Sequence, residues 1–324
     1  MAGDVAGLPS RAGRSLAAVA RLAARILPVK GWMLVTERLH PHISDGVTEV
    51  VHRTGYGVTL RLDFNDYVQR GIFYGAYESQ ELNFTRRVLR PGDVMIDVGA
   101  HVGIFSLVGA RTVGSSGEVH AFEPIAFNYS RLLENVERNR LANVHTNQAA
   151  IGAEAGEISL GLDPSVPVND ASAWQAGYAV GQASRTVTTP LLSLDDYAAS
   201  HLRDRPIRFI KVDVEGYEPR VLAGLRQTLA ARRVDVLLVE VNLYALSRSG
   251  YGIGDAVRPL QSAGYRPYRI GSFGALRAWS QKDEPAITRR PAGGGLLRSL
   301  RMGLEDRARN FNLVWVRDDL QLRR

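Results

Sequence analysis

From Asp93 onward the chain alternates short apolar runs with amphipathic stretches, the pattern of a parallel sheet covered by helices on both faces. Strands are expected at "DVMIDVG", "EVHAFEP", "NVHTNQAAIG", "RFIKVDVEG" and "VDVLLVEV". After "FEP", Tyr129, Leu132, Leu133 and Val136 recur at i, i+3, i+4 and i+7, so they should face the sheet while Arg131, Glu134 and Glu137 face water. After "VEG", Val221, Leu222, Leu225 and Leu229 repeat that spacing. Asp163 to Ser184 has no period and reads as a long loop leading to "TVTTPLLS". Beyond Gly264, "YRPYRI" and "NFNLVWVRD" read as two final strands.

The first third of the chain has a different pattern. Arg14 to Leu27 forms a basic amphipathic helix with Arg14, Arg21 and Arg25 on one face and Leu16, Val19, Ala23 and Ile26 opposite. Two readings of it stay open: docking on the protein's own surface or on a second copy, or peripheral contact of residues 14–27 with an anionic membrane. "TEVVHRTGYGVTLRLDF" is a hairpin, and "YESQELNFTRRVL" a helix closed by Pro91 and Gly92. The expected division is a helix-and-hairpin extension over residues 1–74 and one domain over 75–320, with an Arg- and Gly-rich mobile segment at about 281–303.

Composition narrows the class. The 324 residues are 45% apolar and 23% charged with no Cys, which excludes a disulfide scaffold and leaves enough apolar surface for a core. No apolar run reaches the length of about 18 residues that a membrane-spanning helix needs. There is no leader-like apolar segment at the start either, so the expected location is cytoplasmic, with the inner membrane face open to the basic helix. The net charge of +7 is peripheral: residues 1–40 hold 6 basic and 2 acidic groups, and residues 271–310 hold 8 and 4. That leaves 26 basic against 27 acidic groups elsewhere, a distribution that argues against a nucleic-acid partner.

The motif with most chemical content is "VMIDVGAHVG", an apolar strand ending in Asp97 followed by Gly99 and Gly103 in a turn that opens a helix. Its spacing lacks the G-x-G-x-x-G pyrophosphate fingerprint. Glu123 ends the next strand, where an acid accepts hydrogen bonds from ribose hydroxyls. A glycine turn, a ribose acid and no phosphate fingerprint point to S-adenosylmethionine (SAM).

These segments resemble a known family. "YESQEL", "PGDVMIDVGAHVG", "VHAFEP", "LLENVERN", "NQAAIG", "LLSLDDY", "FIKVDVEGYEPRVLAG" and "VLLVEVN" run in the order of the FkbM family of SAM-dependent methyltransferases, over about residues 75–245 and more weakly to 317. The resemblance implies a Rossmann-like class I methyltransferase fold, α/β, with a seven-stranded, mostly parallel sheet whose last pair includes an antiparallel member. It also implies that Asp97, Gly99, Ala100 and Gly103 line the methionine part of SAM, Glu123 the ribose and Ala149 the adenine side. His101 departs from the family's usual Asn and adds a titratable group there. The implied reaction is O-methylation of a small-molecule, glycan or glycolipid hydroxyl: a sugar, glycolipid, polysaccharide or natural product. A protein or RNA methyltransferase, or a non-catalytic SAM- or glycan-binding protein, stands as the alternative.

Methyl transfer to a hydroxyl needs a proton acceptor in reach, and Asp213, Glu215 and His101 are the candidates, with Lys211 beside them. In "KVDVEG" a period of two puts Lys211, Asp213 and Glu215 on one face at a strand's carboxyl end, where open α/β sheets bind ligands. Capping of the following helix is the structural alternative for both acids. Asp213, Glu240 and Asn242 offer oxygens that would suit Mg²⁺, but strand-end carboxylates more often bind substrate or cofactor, so no metal is expected. The remaining histidines, His120 and His145 among them, read as structural.

Overall fold

The computed structural model describes residues 11–26, 32–162, 173–175, 185–271, 275–280, 310–320 and 322. Two helices, Arg11–Ile26 and Trp32–Ser44, lead into a hairpin of β1 (Glu49–Arg53) and β2 (Thr59–Asp63). The first helix buries Ala17 and Ala20, while Val19 and Leu22 are exposed. Leu16 packs against the core as the apolar face predicts, but Val19 does not, and the inner face is centred on Ala17 and Ala20. Small residues let the helix lie close to its neighbours, and Arg21 sets its guanidinium 5.0 Å from the centre of the Phe73 ring. The side chains of Arg25 and Ile26, and Leu27 entirely, lie outside the described residues.

Two sheets follow. β3 (Val94–Val98), β4 (Glu118–Phe122) and β5 (Val144–Asn147) build one half of the main sheet. A second sheet of four strands contains β6 (Ala150–Gly152), β7 (Gly156–Leu162), β8 (Ala173–Gln175) and β9 (Arg185–Ser193). The chain then returns to the main sheet through β10 (Ile207–Val212), β11 (Val234–Asn242), β12 (Tyr265–Ile270), β13 (Leu276–Ala278) and β14 (Asn310–Arg317). The main-sheet order is β13-β12-β14-β11-β10-β3-β4-β5. Strands β3, β4, β5, β10 and β11 are parallel, and β14 enters antiparallel between β11 and β12.

Among the described residues the sheet has eight strands where seven were expected. The extra one, β13, is a three-residue edge strand with no buried side chain, so no alternation marks it in the sequence. "NVHTNQAAIG" is not one strand but two, β5 and β6, in different sheets. Within the expected long loop, Ala173–Gln175 pairs with β7; its other residues, like the segment expected to be mobile at 281–303, lie outside the described residues. Among the described residues no helix is long and apolar enough to cross a membrane.

The helices cover both faces. Val221, Leu222, Leu225 and Leu229 are buried, as their spacing predicts. The helix Ala126–Asn139 differs from expectation: Leu132 is buried, but Leu133 is 43% exposed and Asn128, Arg131 and Asn135 are buried instead. The cause is the hairpin, which seats on this helix. Arg131 pairs with Glu49 and Glu134. Asn139 accepts from the Thr59 N–H at 2.8 Å. Asn135 accepts from the Arg61 N–H at 2.8 Å and donates to the Val102 carbonyl at 3.0 Å. A polar stripe that looked solvated in sequence thus ties the extension to the turn after β3.

Asn135→Ala would leave the Arg61 N–H and Val102 carbonyl without that partner, at about 1–3 kcal/mol for a buried group left unsatisfied. The urea midpoint should fall by the equivalent of about 2 kcal/mol with the slope unchanged, measured by circular dichroism. An unchanged midpoint would remove this tie from the account.

Candidate active site

The strand order reverses between β3 and β10, since the chain proceeds to β4 on one side and to β11 on the other. At such a switch point the loops diverge and leave a crevice at the strands' carboxyl ends. A cleft of about 770 Å³, solvent at its mouth included, opens there. Its walls include Gly99 after β3, Glu123 to Ile125 after β4, Ala149 to Ile151, and Asp213 to Glu215 after β10. Ile158 and Leu160 of β7 form an apolar flank with Tyr217 and Ser249 nearby.

Of the residues expected to bind a nucleoside, Gly99, Glu123 and Ala149 line this cleft. Glu123 is buried, accepts from the His101 N–H at 2.8 Å and from the Ile125 N–H at 3.0 Å, and has its carboxyl raised by burial. The Asn128 side chain is a third donor, which leaves one of the carboxylate's four lone-pair positions open. Asp97, Ala100 and Gly103 lie behind the surface and support it. Asp97 is fully buried and accepts from the Ser106 hydroxyl at 2.6 Å, with Lys211 Nζ 3.7 Å from its other oxygen. Ala100 packs against Ala121 and Leu132. A Cβ on Gly103 would meet Leu132 at 2.5 Å, and one on Gly99 would meet the Asp213 carbonyl oxygen at 1.9 Å. Glycine at position 99 therefore lets two backbones approach, and does not clear space for a ligand as a glycine turn suggests.

The acid-bearing side of the cleft is organised by Lys211. This lysine is 4% exposed and donates to the Gly99 carbonyl at 3.1 Å, with Asp213 Oδ2 also at 3.1 Å. Burial alone would lower the ammonium's pKa, but Asp213 and Asp97 outweigh it and raise it. Burial likewise pushes Asp213 upward, while Lys211 and a hydrogen bond from Glu240 pull it below the usual carboxylate value. Glu240 is driven the opposite way, far upward, by burial and by Asp213. Of this pair Glu240 carries the proton and Asp213 the charge.

Glu215 reaches the same place through a turn. Strand β10 ends at Val212, and Glu215 and Gly216 both have positive φ, with the Glu218 carboxylate accepting from the Val214 and Gly216 N–H groups. Neither acid caps the helix Glu218–Ala223, whose first turn has no side-chain cap. One oxygen each from Asp213, Glu215 and Glu240 lies within 4.8 Å of the others. The candidate metal set changes accordingly, because the Asn242 oxygen accepts from the Ala245 N–H and its amide donates to Glu215. With the Lys211 ammonium already 3.1 Å from Asp213, a positive charge is supplied by the chain itself.

His101 is set apart from the other base candidates. It does not line the cleft, and its Nε2 lies 3.2 Å from Asp66 Oδ2, where Asp66 also caps the helix Tyr67–Tyr74. Burial would lower His101, but the Asp66 carboxylate outweighs it and the imidazole is raised. The Nε2 that a base would use is thus engaged by Asp66. Sequence reasoning also passed over Glu78, which accepts from Asn312 at 2.9 Å and is pushed to about 8 by burial, Glu81 and Asp213. Ile158 and Leu160 were missed too, although "GEISL" alternates in period two.

A doubly wound sheet with its final strand inserted antiparallel, a glycine turn after the first parallel strand and an acid after the second define the Rossmann-like methyltransferase fold. The chain belongs to the FkbM methyltransferase family, whose model, described as the methyltransferase FkbM domain, matches residues 97–267. It is 32% identical over 160 residues to 31-O-demethyl-FK506 methyltransferase FkbM of Streptomyces tacrolimicus, covering 42% of this chain and 61% of that protein. It is 30% identical over 150 residues to hexuronic acid methyltransferase AglP of Haloferax volcanii, 46% of this chain and 56% of that one. Ribosomal RNA large subunit methyltransferase E of Neisseria gonorrhoeae matches at 28% over 102 residues, 32% and 39% of the two chains. The chain thus spans about three-fifths or less of the length of these relatives.

The His101–Asp66 pair should leave a signature in stability. A raised histidine stabilises fully below its unfolded value of 6.5, and the contribution is lost as pH rises through the folded value. Asp66 is depressed, so its contribution disappears only as pH falls well into acid. The melting temperature of wild type minus that of His101→Gln should therefore be largest in mildly acidic buffer and shrink toward alkaline pH. A difference that is constant with pH would show that the pair is not charged.

Proposed function

We propose that the chain is a SAM-dependent O-methyltransferase acting on a hydroxyl of a sugar, glycolipid, polysaccharide or natural product. The observation that carries this reading is that the buried acid Glu123 and the carboxylate of Asp213 line one cleft. The lining fits the cofactor: Glu123 offers a lone pair to a ribose, and Ile125, Ile151, Ile158 and Leu160 offer an apolar seat for a base. When bound, SAM supplies a methyl group on a positively charged sulfur. The 31-O-demethyl-FK506 and hexuronic acid methyltransferases support hydroxyl-rich acceptors.

The chain's own residues then handle the proton. As the acceptor oxygen gains its methyl group, its proton becomes strongly acidic, so a weak base suffices. Asp213, kept ionised by Lys211, takes that proton, and protonated Glu240 fixes its orientation by hydrogen bonding. Glu215, tethered by Asn242, faces the same space and can accept a second hydroxyl of a diol. No metal is part of this reading. The exposed Val19 and Leu22 in the basic helix support peripheral membrane contact through residues 14–27, which would suit a lipid-linked acceptor at the cytoplasmic face.

The ribosomal RNA relative supports a second reading, methylation of RNA. Incubation with methyl-labelled SAM and either envelope glycan and glycolipid extract or total RNA separates the two. Label should enter the glycan fraction; label in RNA alone would replace the proposal. Glu123→Ala should weaken SAM binding by about 1–3 kcal/mol in calorimetry, with unchanged affinity contradicting the cofactor assignment. Asp213→Asn should lower turnover by about 10²- to 10⁴-fold with SAM affinity little changed. Full activity in that variant would remove Asp213 as the base.

A further inference from the structure

A second cluster of ligating side chains lies away from the cleft. Strands β4 and β5 are parallel neighbours in a register that sets His120 beside His145, so the two imidazoles project from the same face. Glu118, two residues before His120 on β4, shares that face by the period of two. The rings stack with centroids 4.7 Å apart, and one donor atom each from Glu118, His120 and His145 lies within 4.8 Å of the other two. None of these positions is close in sequence to a metal-binding spacing. Only the pairing of the strands brings them together.

His120 has the character of a prepared ligand. It is 3% exposed, and its Nδ1 is 2.9 Å from the Tyr197 hydroxyl, a second partner that fixes the ring. With the proton on Nδ1, donating to Tyr197, Nε2 keeps its lone pair. That Nε2 is buried without a hydrogen bond, 3.4 Å from Glu118 Oε2. Arg205 pairs with that same Oε2 at 2.7 Å, so a bound ion would share the carboxylate with the guanidinium. His145 is exposed, which opens a path from solvent.

We infer that Glu118, His120 and His145 form a binding site for a borderline divalent transition ion of the Zn²⁺ class, with water completing its coordination. Two imidazoles and one carboxylate are the donor set such ions prefer, whereas Mg²⁺ and Ca²⁺ take all-oxygen sites. Glu118 begins β4 while Glu123 follows its end, so the site and the cleft lie at opposite ends of that strand. Its role is to clamp edge strand β5 to β4, stabilising the folded state by binding it and not the unfolded chain.

The test uses the full chain stripped with chelator. Zn²⁺ titration followed by calorimetry should show one tight equivalent and a rise in melting temperature. Co²⁺ should give the intense visible absorption of a tetrahedral site. His145→Ala, an exposed change that keeps the fold, should weaken binding by about 100-fold or more, since loss of even an outer partner costs about 10- to 100-fold. Glu118→Gln should weaken it as well, while His42→Ala should leave it unchanged. Absence of a tight equivalent, or wild-type affinity in both His145→Ala and Glu118→Gln, would overturn the site.

Discussion

The ammonium of Lys211 is the charge on which the rest of the cleft depends. It joins the ends of the two central strands through the Gly99 carbonyl, Asp97 and Asp213, in a place with almost no access to water. The buried acids Asp97, Glu218 and Glu240 all feel the charge of Asp213, and without a cation among them the cheapest arrangement would be protonated and neutral. Breaking a buried pair by removing one partner costs about 3–5 kcal/mol, because the other charge is stranded. Lys211 thus decides both that the strand ends stay together and that the carboxylate facing the cleft is charged.

Backbone proximity makes this contact possible. Gly99 brings the turn after β3 so near the Asp213 carbonyl that no side chain fits between them. The same turn is held from outside by Glu123, which accepts from the His101 N–H, and by Asp66, which meets the His101 ring. Asp66 belongs to the segment just after the hairpin, and Asn135 links the hairpin backbone to Val102. The N-terminal extension is therefore part of the scaffold that fixes the glycine turn. It shares its hydrophobic core with Met95, Leu107 and Val119 of the sheet layer.

Much of this was legible in the chain, for definite reasons. The central strands are continuous apolar runs, and the motif after β3 carries its own turn chemistry, so the parallel half of the sheet and the position of Glu123 followed from local pattern. What escaped was set by partners that the pattern of apolar positions does not show. Arg131 and Asn135 look solvated until the hairpin covers them. Asn242 has an oxygen that suits a metal until it caps its own helix. His101 reads as a base candidate in sequence, but its contact with Asp66, 35 residues earlier, is not visible there. His120 and His145 acquire a meaning only from strand register. Burial of a polar residue depends on what arrives from elsewhere, and a single sequence does not record that.

The central claim is that Asp213 is charged and Glu240 protonated in the resting cleft. Carbon-13 carboxyl NMR on protein labelled at Asp and Glu measures this directly, with the two signals identified by their loss in Asp213→Asn and Glu240→Gln. The account predicts an ionised shift for Asp213 and a protonated shift for Glu240 at neutral pH. A protonated Asp213, or an ionised Glu240 beside it, would contradict the account.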